Sequence, residues 1–317
     1  LLDDHDRSGR RLLLKQPDVF ARDPLAGTGK TLAQKYWFLP AFMSPLFESM
    51  LGRDGDDHDR LRQLVEKAFQ KTAIDDMRPR IAAIADDLLG QIDTTQPAEI
   101  IATYTRVLHL MVICDLLGIP QSERAKVARW IAPLSGPTSA IGMLRGLPGL
   151  RRIMRYFRKD FERVRRAQRP GLITNLVEAE NEGDKLNDDE FLAMVVTLFI
   201  AGHETMVHLI SIGIYAVLST PATRQAMQDN PAELPLLVEE LMRFYSPVMM
   251  TKPHIVQEDV DLDGVPLAKG DQIAALLIAA NHDEARFKVP ETFIVNRRPN
   301  PHVCLGCNWR GPRPKWP

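Results

Sequence analysis

The sequence predicts a mainly α-helical fold with a small β region late in the chain. Between residues 59 and 118, three stretches space their apolar residues three and four apart, which lines one face of a helix. A further helical pattern runs from about Asp188 to Ser219, well beyond the usual globular helix and long enough to serve as a central spine. After PVMM (247–250) the pattern shortens into β-type runs separated by turn signals.

Taken in order, DRLRQLVEKAFQ (59–70), IDDMRPRIAAIADDLLGQI (74–92) and AEIIATYTRVLHLMVICDLLG (98–118) are the first helices. A Gly-Ile-Pro stop at 118–120 ends the third, and another helix start follows it. SGPTSAIGMLRGLPGL (135–150) carries Gly and Pro through its length and is expected to form a mobile loop or lid, with Met143, Leu144 and Leu147 at an entry gate. RRIMRYFRKDFERVRRAQR (151–169) is strongly basic; it reads as a solvated helix with some internal pairing to Asp160 and Glu162. LNDDE (186–190) supplies a cap and an acidic first turn for the long helix, which Ser-Thr-Pro ends. EELMRFYSP (239–247) is amphipathic and terminated by Ser-Pro. HIVQEDVDLDGVPLAKGDQIAALLIAAN (254–281) contains short β-type runs around Asp-Gly and Lys-Gly turns. The last segment, from Asn296, is rich in Pro and Gly and irregular. With no internal repeat and no linker, residues 1–317 read as a single domain.

At 45% hydrophobic and 26% charged residues, the balance is that of a soluble chain able to fill a sizeable core. The formal net charge of -1 gives no global attraction to nucleic acid or an acidic membrane surface. Three cysteines, Cys114, Cys304 and Cys307, are too few for a disulfide framework and suit a reducing, cytoplasmic setting. No apolar run is read as a membrane span. The chain begins at Leu1 rather than Met, which leaves an upstream leader or anchor open.

One interruption needs a cause. In LFIAGHETMVHLI (198–210) an apolar run breaks for Gly202, His203, Glu204 and Thr205 and then resumes. A mid-helix glycine costs roughly 1 kcal/mol relative to alanine, and a buried unpaired glutamate costs more. A zinc-protease reading fails, because His203 and His208 are five apart and a metal needs histidines four apart on one helical face. AGTGKT (26–31) has Pro24 where a phosphate-binding loop needs its first glycine, so it reads as a surface turn. Cys304-Leu-Gly-Cys307 has the spacing of a zinc or redox pair, but no second ligand pair accompanies it.

Two weaker signals remain. Glu240 and Arg243 are three apart on a helix and taken alone read as a surface ion pair. His58 and Arg62 are four apart and could together hold a carboxylate or phosphate, or form a solvated face. The order of these signals is more specific than any one of them. His-x-x-x-Arg, Ala-Gly-x-Glu-Thr, Glu-x-x-Arg-x-x-Ser-Pro, a short β region, Asn-Pro-His-Val and Cys-Leu-Gly follow each other along nearly the whole chain. That series resembles the soluble bacterial cytochromes P450, heme-thiolate monooxygenases. LLVEELMRFYSPV, LFIAGHET, NLVEAENEGDKL and RRPNPHV each look like segments of that family.

The resemblance implies a P450-like fold with heme b (iron protoporphyrin IX) as cofactor, and gives residues roles. Cys304 matches the thiolate ligand to the metal. Thr205 matches the hydroxyl that hydrogen-bonds dioxygen, and Glu204 the acid that relays protons from solvent. Gly202 matches a position where a side chain would crowd oxygen, and Ala201 one that touches substrate or heme. His58, Arg62 and His254 match residues that bind the heme propionates. Glu240 and Arg243, with Arg297 as third member, match a structural ion network. The implied reaction inserts one oxygen atom from O2 into a hydrophobic small molecule. Electrons would come from NAD(P)H through a ferredoxin or flavodoxin with its reductase, and the basic helix at 151–169 could face an acidic carrier protein.

The chain departs from that pattern in three places. Relatives carry a Phe-Gly-x-Gly-x-His-x-Cys loop before Cys-Leu-Gly, whereas here Val303 is followed directly by Cys304. The helix expected after the cysteine is replaced by CNWRGPRPKWP, and the β region that opens relatives is missing. A non-catalytic, heme-free binding module of the same fold, from a truncated or decayed gene, is the alternative. A peroxide-using or rearranging heme enzyme fits less well, because the Glu204-Thr205 pair is intact.

Overall fold

The computed structural model describes residues 16, 18–23, 28–29, 34, 37, 39–71, 74–134, 140–181, 186–262 and 264–304. Residues 32–207 form one compact unit, and residues 1–31 with 208–317 form another. The division falls inside one continuous helix, between Val207 and His208.

In the first unit, α1 (Gly55–Lys71) buries Leu61, Leu64, Val65 and Ala68. Asp56 and Asp57 occupy its first turn, where negative charge complements the helix dipole. Helix α2 (Ile74–Gly90) follows. The third predicted helix begins instead with a π-helical turn, Ile101–Thr105, which leads into α3 (Arg106–Leu117). Gly118 stops α3 as predicted. Its φ of 77° lets its N–H reach Asp115 O (3.0 Å) while Ile119 N–H reaches Cys114 O (2.8 Å), the paired bonds of a left-handed helix cap. A Cβ on Gly118 would lie 2.4 Å from Pro170 O.

Helix α4 (Gln121–Ile131) precedes α5 (Ala140–Arg166). Here the lid expectation is corrected: residues 135–139 lie outside the described residues, and 140–150 are helical. A Cβ at Gly149 would meet Trp130 O at 2.2 Å, so glycine is what lets α5 lie against the end of α4. Met143's side chain is also outside the described residues, and Leu144 is exposed. Further along α5, Ile153, Met154, Phe157, Phe161 and Val164 form its buried stripe. Three cations of the opposite face are drawn into ion pairs, Arg158 with Asp189 (2.8 Å), Arg163 with Glu123 (3.2 Å) and Arg165 with Asp188 (3.2 Å).

After α6 (Leu172–Asn181) comes the predicted spine, α7 (Asp188–Ser219). Asn187 Oδ1 accepts from Glu190 N–H (2.8 Å) and Glu190 Oε2 accepts from Asn187 N–H (3.0 Å), a reciprocal cap that fixes where the helix starts. By length and composition alone α7 could cross a membrane, although the sequence was read as having no such run. Its residues Phe191, Leu192, Met194, Val195, Val196 and Phe199 belong to the hydrophobic core of the first unit.

In the second unit, α8 (Pro221–Asp229) and α9 (Leu234–Tyr245) come first. Strands β1 (Phe20–Ala21), β2 (His254–Val256) and β5 (Gln272–Ile273) form an antiparallel sheet in the order β1-β2-β5. Strands β3 (Val260–Leu262) and β4 (Val265–Leu267) form a hairpin. The predicted turns fall at Gly264 and Gly270, with φ of 83° and 95°. The end of the predicted β region is instead a short helix, α10 (Leu277–Asn281); a brief apolar run fits a buried strand or a buried helix equally well.

Candidate active site

In the first unit, α7 carries the interruption that the sequence exposed. Gly202, Glu204 and Thr205 are half-buried, and Thr205 Oγ1 lies 3.5 Å from Gly202 O. A Cβ at Gly202 would meet Ile113 Cδ1 at 3.3 Å, so glycine also eases the passage of α7 past α3. Ala201 is helical, but its side chain lies outside the described residues. His203, read only as part of a rejected zinc motif, is 2% exposed and sits beside His109, 8% exposed.

His58 and Arg62 share one face of α1. His58 Nδ1 is 2.9 Å from Met50 O. Arg62 is exposed, and its Nε–H donates to Glu66 Oε1 at 2.8 Å. That pair is worth a few tenths of a kcal/mol, so an incoming carboxylate could replace Glu66 at little cost. Among the described residues no group of three or more potential ligands could hold a metal ion by itself. Of AGTGKT only Thr28 and Gly29 are described, and Cys307 lies outside the described residues.

In the second unit, Cys304 sits at the foot of α9 and α10. Its thiol donates to Met242 O at 2.6 Å, Asn281 Nδ2 lies 3.3 Å from the sulfur, and Ser246 Oγ lies 3.6 Å away. Asn281 is the organiser. Its Nδ2 also donates to Ser246 Oγ (2.8 Å), and its Oδ1 accepts from Val303 N–H (2.9 Å). Ser246 holds a left-handed φ of 41° at the end of α9 while its hydroxyl donates to Arg243 O (3.0 Å). Sequence reasoning missed Asn281 and Ser246 as site residues, since their approach to Cys304 depends on contacts distant in sequence. His302 Nε2 is 2.8 Å from Glu239 Oε2. Burial works against a charge on His302, but hydrogen bonding with Cys304 and Glu239 outweighs it and raises the imidazole to about 9. His254 is buried in β2.

Glu240, Arg243 and Arg297 come together in the same unit. They are not on the surface, as the pair read alone would be: Glu240 and Arg243 are 0% exposed. Arg243 grips Glu240 with two bonds (2.9 and 2.8 Å) and gives its other N–H groups to Asn281 O, Pro290 O and Thr292 O. Arg297 Nε lies 3.1 Å from both Glu240 oxygens.

Known proteins resemble this chain over most of its length. A family model described as Cytochrome P450 matches residues 150–300. Cytochrome P450 CYP107DY1 of Priestia megaterium is 34% identical over 272 residues, 83% of this chain and 66% of that protein. Vitamin D(3) 25-hydroxylase of Pseudonocardia autotrophica is 32% identical over 283 residues, 84% of this chain and 67% of the relative. The chain thus spans about two thirds of the length of these relatives. Among solved structures, myxobacterial cytochrome P450 CYP267B1 in complex with myristic acid superposes with a TM-score of 0.81 at 34% identity, covering 94% of this chain and 74% of that one. P450BioI in complex with an acyl carrier protein ligated to hexadec-9Z-enoic acid gives 0.79 at 30% identity, covering 94% and 76%. With relatives this similar over most of its length and the same fold throughout, the chain belongs to the cytochrome P450 family.

Proposed function

We propose that the protein works as a heme-thiolate monooxygenase, inserting one oxygen atom from O2 into a hydrophobic small molecule by hydroxylation or epoxidation. The setting of Cys304 carries this reading. Sulfur is the soft donor that an iron–thiolate bond needs, and Asn281 Nδ2–H already lies within reach of it as a donor. The Met242 carbonyl now takes the thiol proton. Ligation would release that proton and free the carbonyl, as metal binding to a thiol generally does. The donor set therefore fits heme.

Heme bound through a thiolate supplies O2 activation, because the thiolate pushes electron density that favours O–O cleavage. The chain's residues do the rest. His58, Arg62 and His254 would hold the carboxylates of the cofactor, by charge or by hydrogen bonds. Glu204, half-buried on α7, would take a proton from solvent, and the Thr205 hydroxyl would pass it to the reacting oxygen. Glu240, Arg243 and Arg297 would fix the frame beneath Cys304 without touching the chemistry. Electrons would come from NAD(P)H through a ferredoxin or flavodoxin and its reductase, in the cytoplasm.

An acidic acyl carrier protein is a partner in keeping with the P450BioI complex. Arg152, Arg155 and Arg166 on α5 are exposed and have no ion pair among the described residues. Reversing Arg155 to Glu and finding carrier binding and its salt dependence unchanged would dispose of that partner.

The deciding experiment is the carbon monoxide difference spectrum of the reduced, heme-loaded protein. A Soret band at the position that names the family establishes thiolate ligation, and Cys304→Ser should abolish it. Failure to take up heme would instead favour a heme-free binding module. With ligation established, Thr205→Ala should lower turnover by about 100-fold, the usual scale for losing a positioned proton donor, while leaving that band in place.

A further inference from the structure

Helices α3 and α7 bring four buried nitrogens to one place. His203 Nδ1 and Nε2, His109 Nε2 and Arg106 Nε have no hydrogen-bond partner among the described residues. The two imidazole rings stand 5.4 Å apart, tilted by 38°, with no hydrogen bond between them. Such groups are rare in folded proteins, since leaving one unmet carries a desolvation cost. Only two other buried side-chain atoms in the described residues share this condition. The clustering points to an occupant.

The charges indicate its sign. Arg106 is always cationic, and no acidic side chain pairs with it among the described residues. Burial pushes His109 and His203 down to about 4, with Arg106 adding to the effect on His203. At neutral pH each ring is therefore uncharged and offers one N–H. Three donors beside an uncompensated positive charge favour an anion and disfavour a metal cation. The π-helical turn at Ile101–Thr105, immediately before Arg106, is an irregularity of the kind often found at functional sites.

We propose that Arg106, His109 and His203 form a buried site for a small monovalent inorganic anion of halide size. The site is independent of the heme reading, because none of its three side chains takes part in that chemistry. Its test uses bromide as the probe. Melting temperature would be compared in sodium bromide and in sodium gluconate, whose anion is too large to enter, at equal ionic strength. The bromide sample should melt about 2–4 °C higher once bromide well exceeds its dissociation constant. Arg106→Met and His203→Phe should each remove that difference. In bromide-soaked crystals of the unaltered protein, an anomalous peak should lie within hydrogen-bond distance of Arg106 Nε. No peak there, or a bromide effect that survives in both variants, would overturn the proposal.

Discussion

Two buried polar regions, one in each unit, are built on opposite terms. Around Glu240, both carboxylate oxygens accept several hydrogen bonds, and every N–H of the Arg243 side chain has a partner. Only Asn300 Oδ1, at its edge, lacks one. Around His203, three ring nitrogens of two neighbouring imidazoles are left unmet. A satisfied network holds one arrangement of the chain and has nothing left to offer a ligand. An unsatisfied one stores a desolvation cost that a ligand can relieve. Buried charge alone thus does not mark a functional site; what counts is whether the protein itself completes the hydrogen bonding.

That contrast is most directly broken at Glu240. Glu240→Ala strands two buried guanidiniums, a change that typically costs about 3–5 kcal/mol. Urea denaturation should show a loss on that scale. A loss under 1 kcal/mol would mean that solvent or nearby carbonyls can complete the network without its carboxylate. Glu240→Gln should fall between, since it keeps the shape but removes the charge.

The His109–His203 pair predicts a pH dependence of opposite character. Both folded-state values, about 4, lie below the ordinary imidazole value near 6.5. Between these two values the unfolded chain binds more protons than the folded one, so stability falls as pH drops from about 6.5 towards 4. It is complete above that window. The loss should be on the order of 3 kcal/mol per histidine at most, measured in gluconate so that no small anion competes. His203→Phe should flatten much of the dependence. An unchanged slope in that variant would locate the acid sensitivity elsewhere.

The sequence was a good guide wherever one local feature decides a structure. Asn187 and Glu190 cap α7 through bonds three residues apart, and Gly118 ends α3 because its own φ is positive. It misled where a distant contact decides. The glycines and proline of 140–150 read as loop punctuation, yet Gly149 is set by the carbonyl of Trp130. The long apolar helix hid His109, since a histidine on a periodic face reads as one more polar interruption until its neighbour is known. The candidate site divides the same way. Cys304, Thr205 and the Glu240 trio are recognisable from motif order, but Asn281 and Ser246 emerge only when α9, α10 and Val303 are brought together.

Arg62 offers the smallest effect and a clean separation of roles. It is exposed, and its described bond is to Glu66, one turn along the same helix. Such a pair contributes about 0.3–0.5 kcal/mol, so Arg62→Ala should scarcely alter the urea midpoint of the heme-free chain. A charge-assisted bond to a heme carboxylate would be worth more, about 1.5 kcal/mol or roughly a tenfold change in heme affinity. Titrating heme into both forms therefore distinguishes a binding residue from a solvated face. Equal affinities with a slightly lower midpoint would return Arg62 to the surface ion pair; weaker heme binding at unchanged stability would set it beside the unsatisfied pair at His203, as a group whose partner comes from outside the chain.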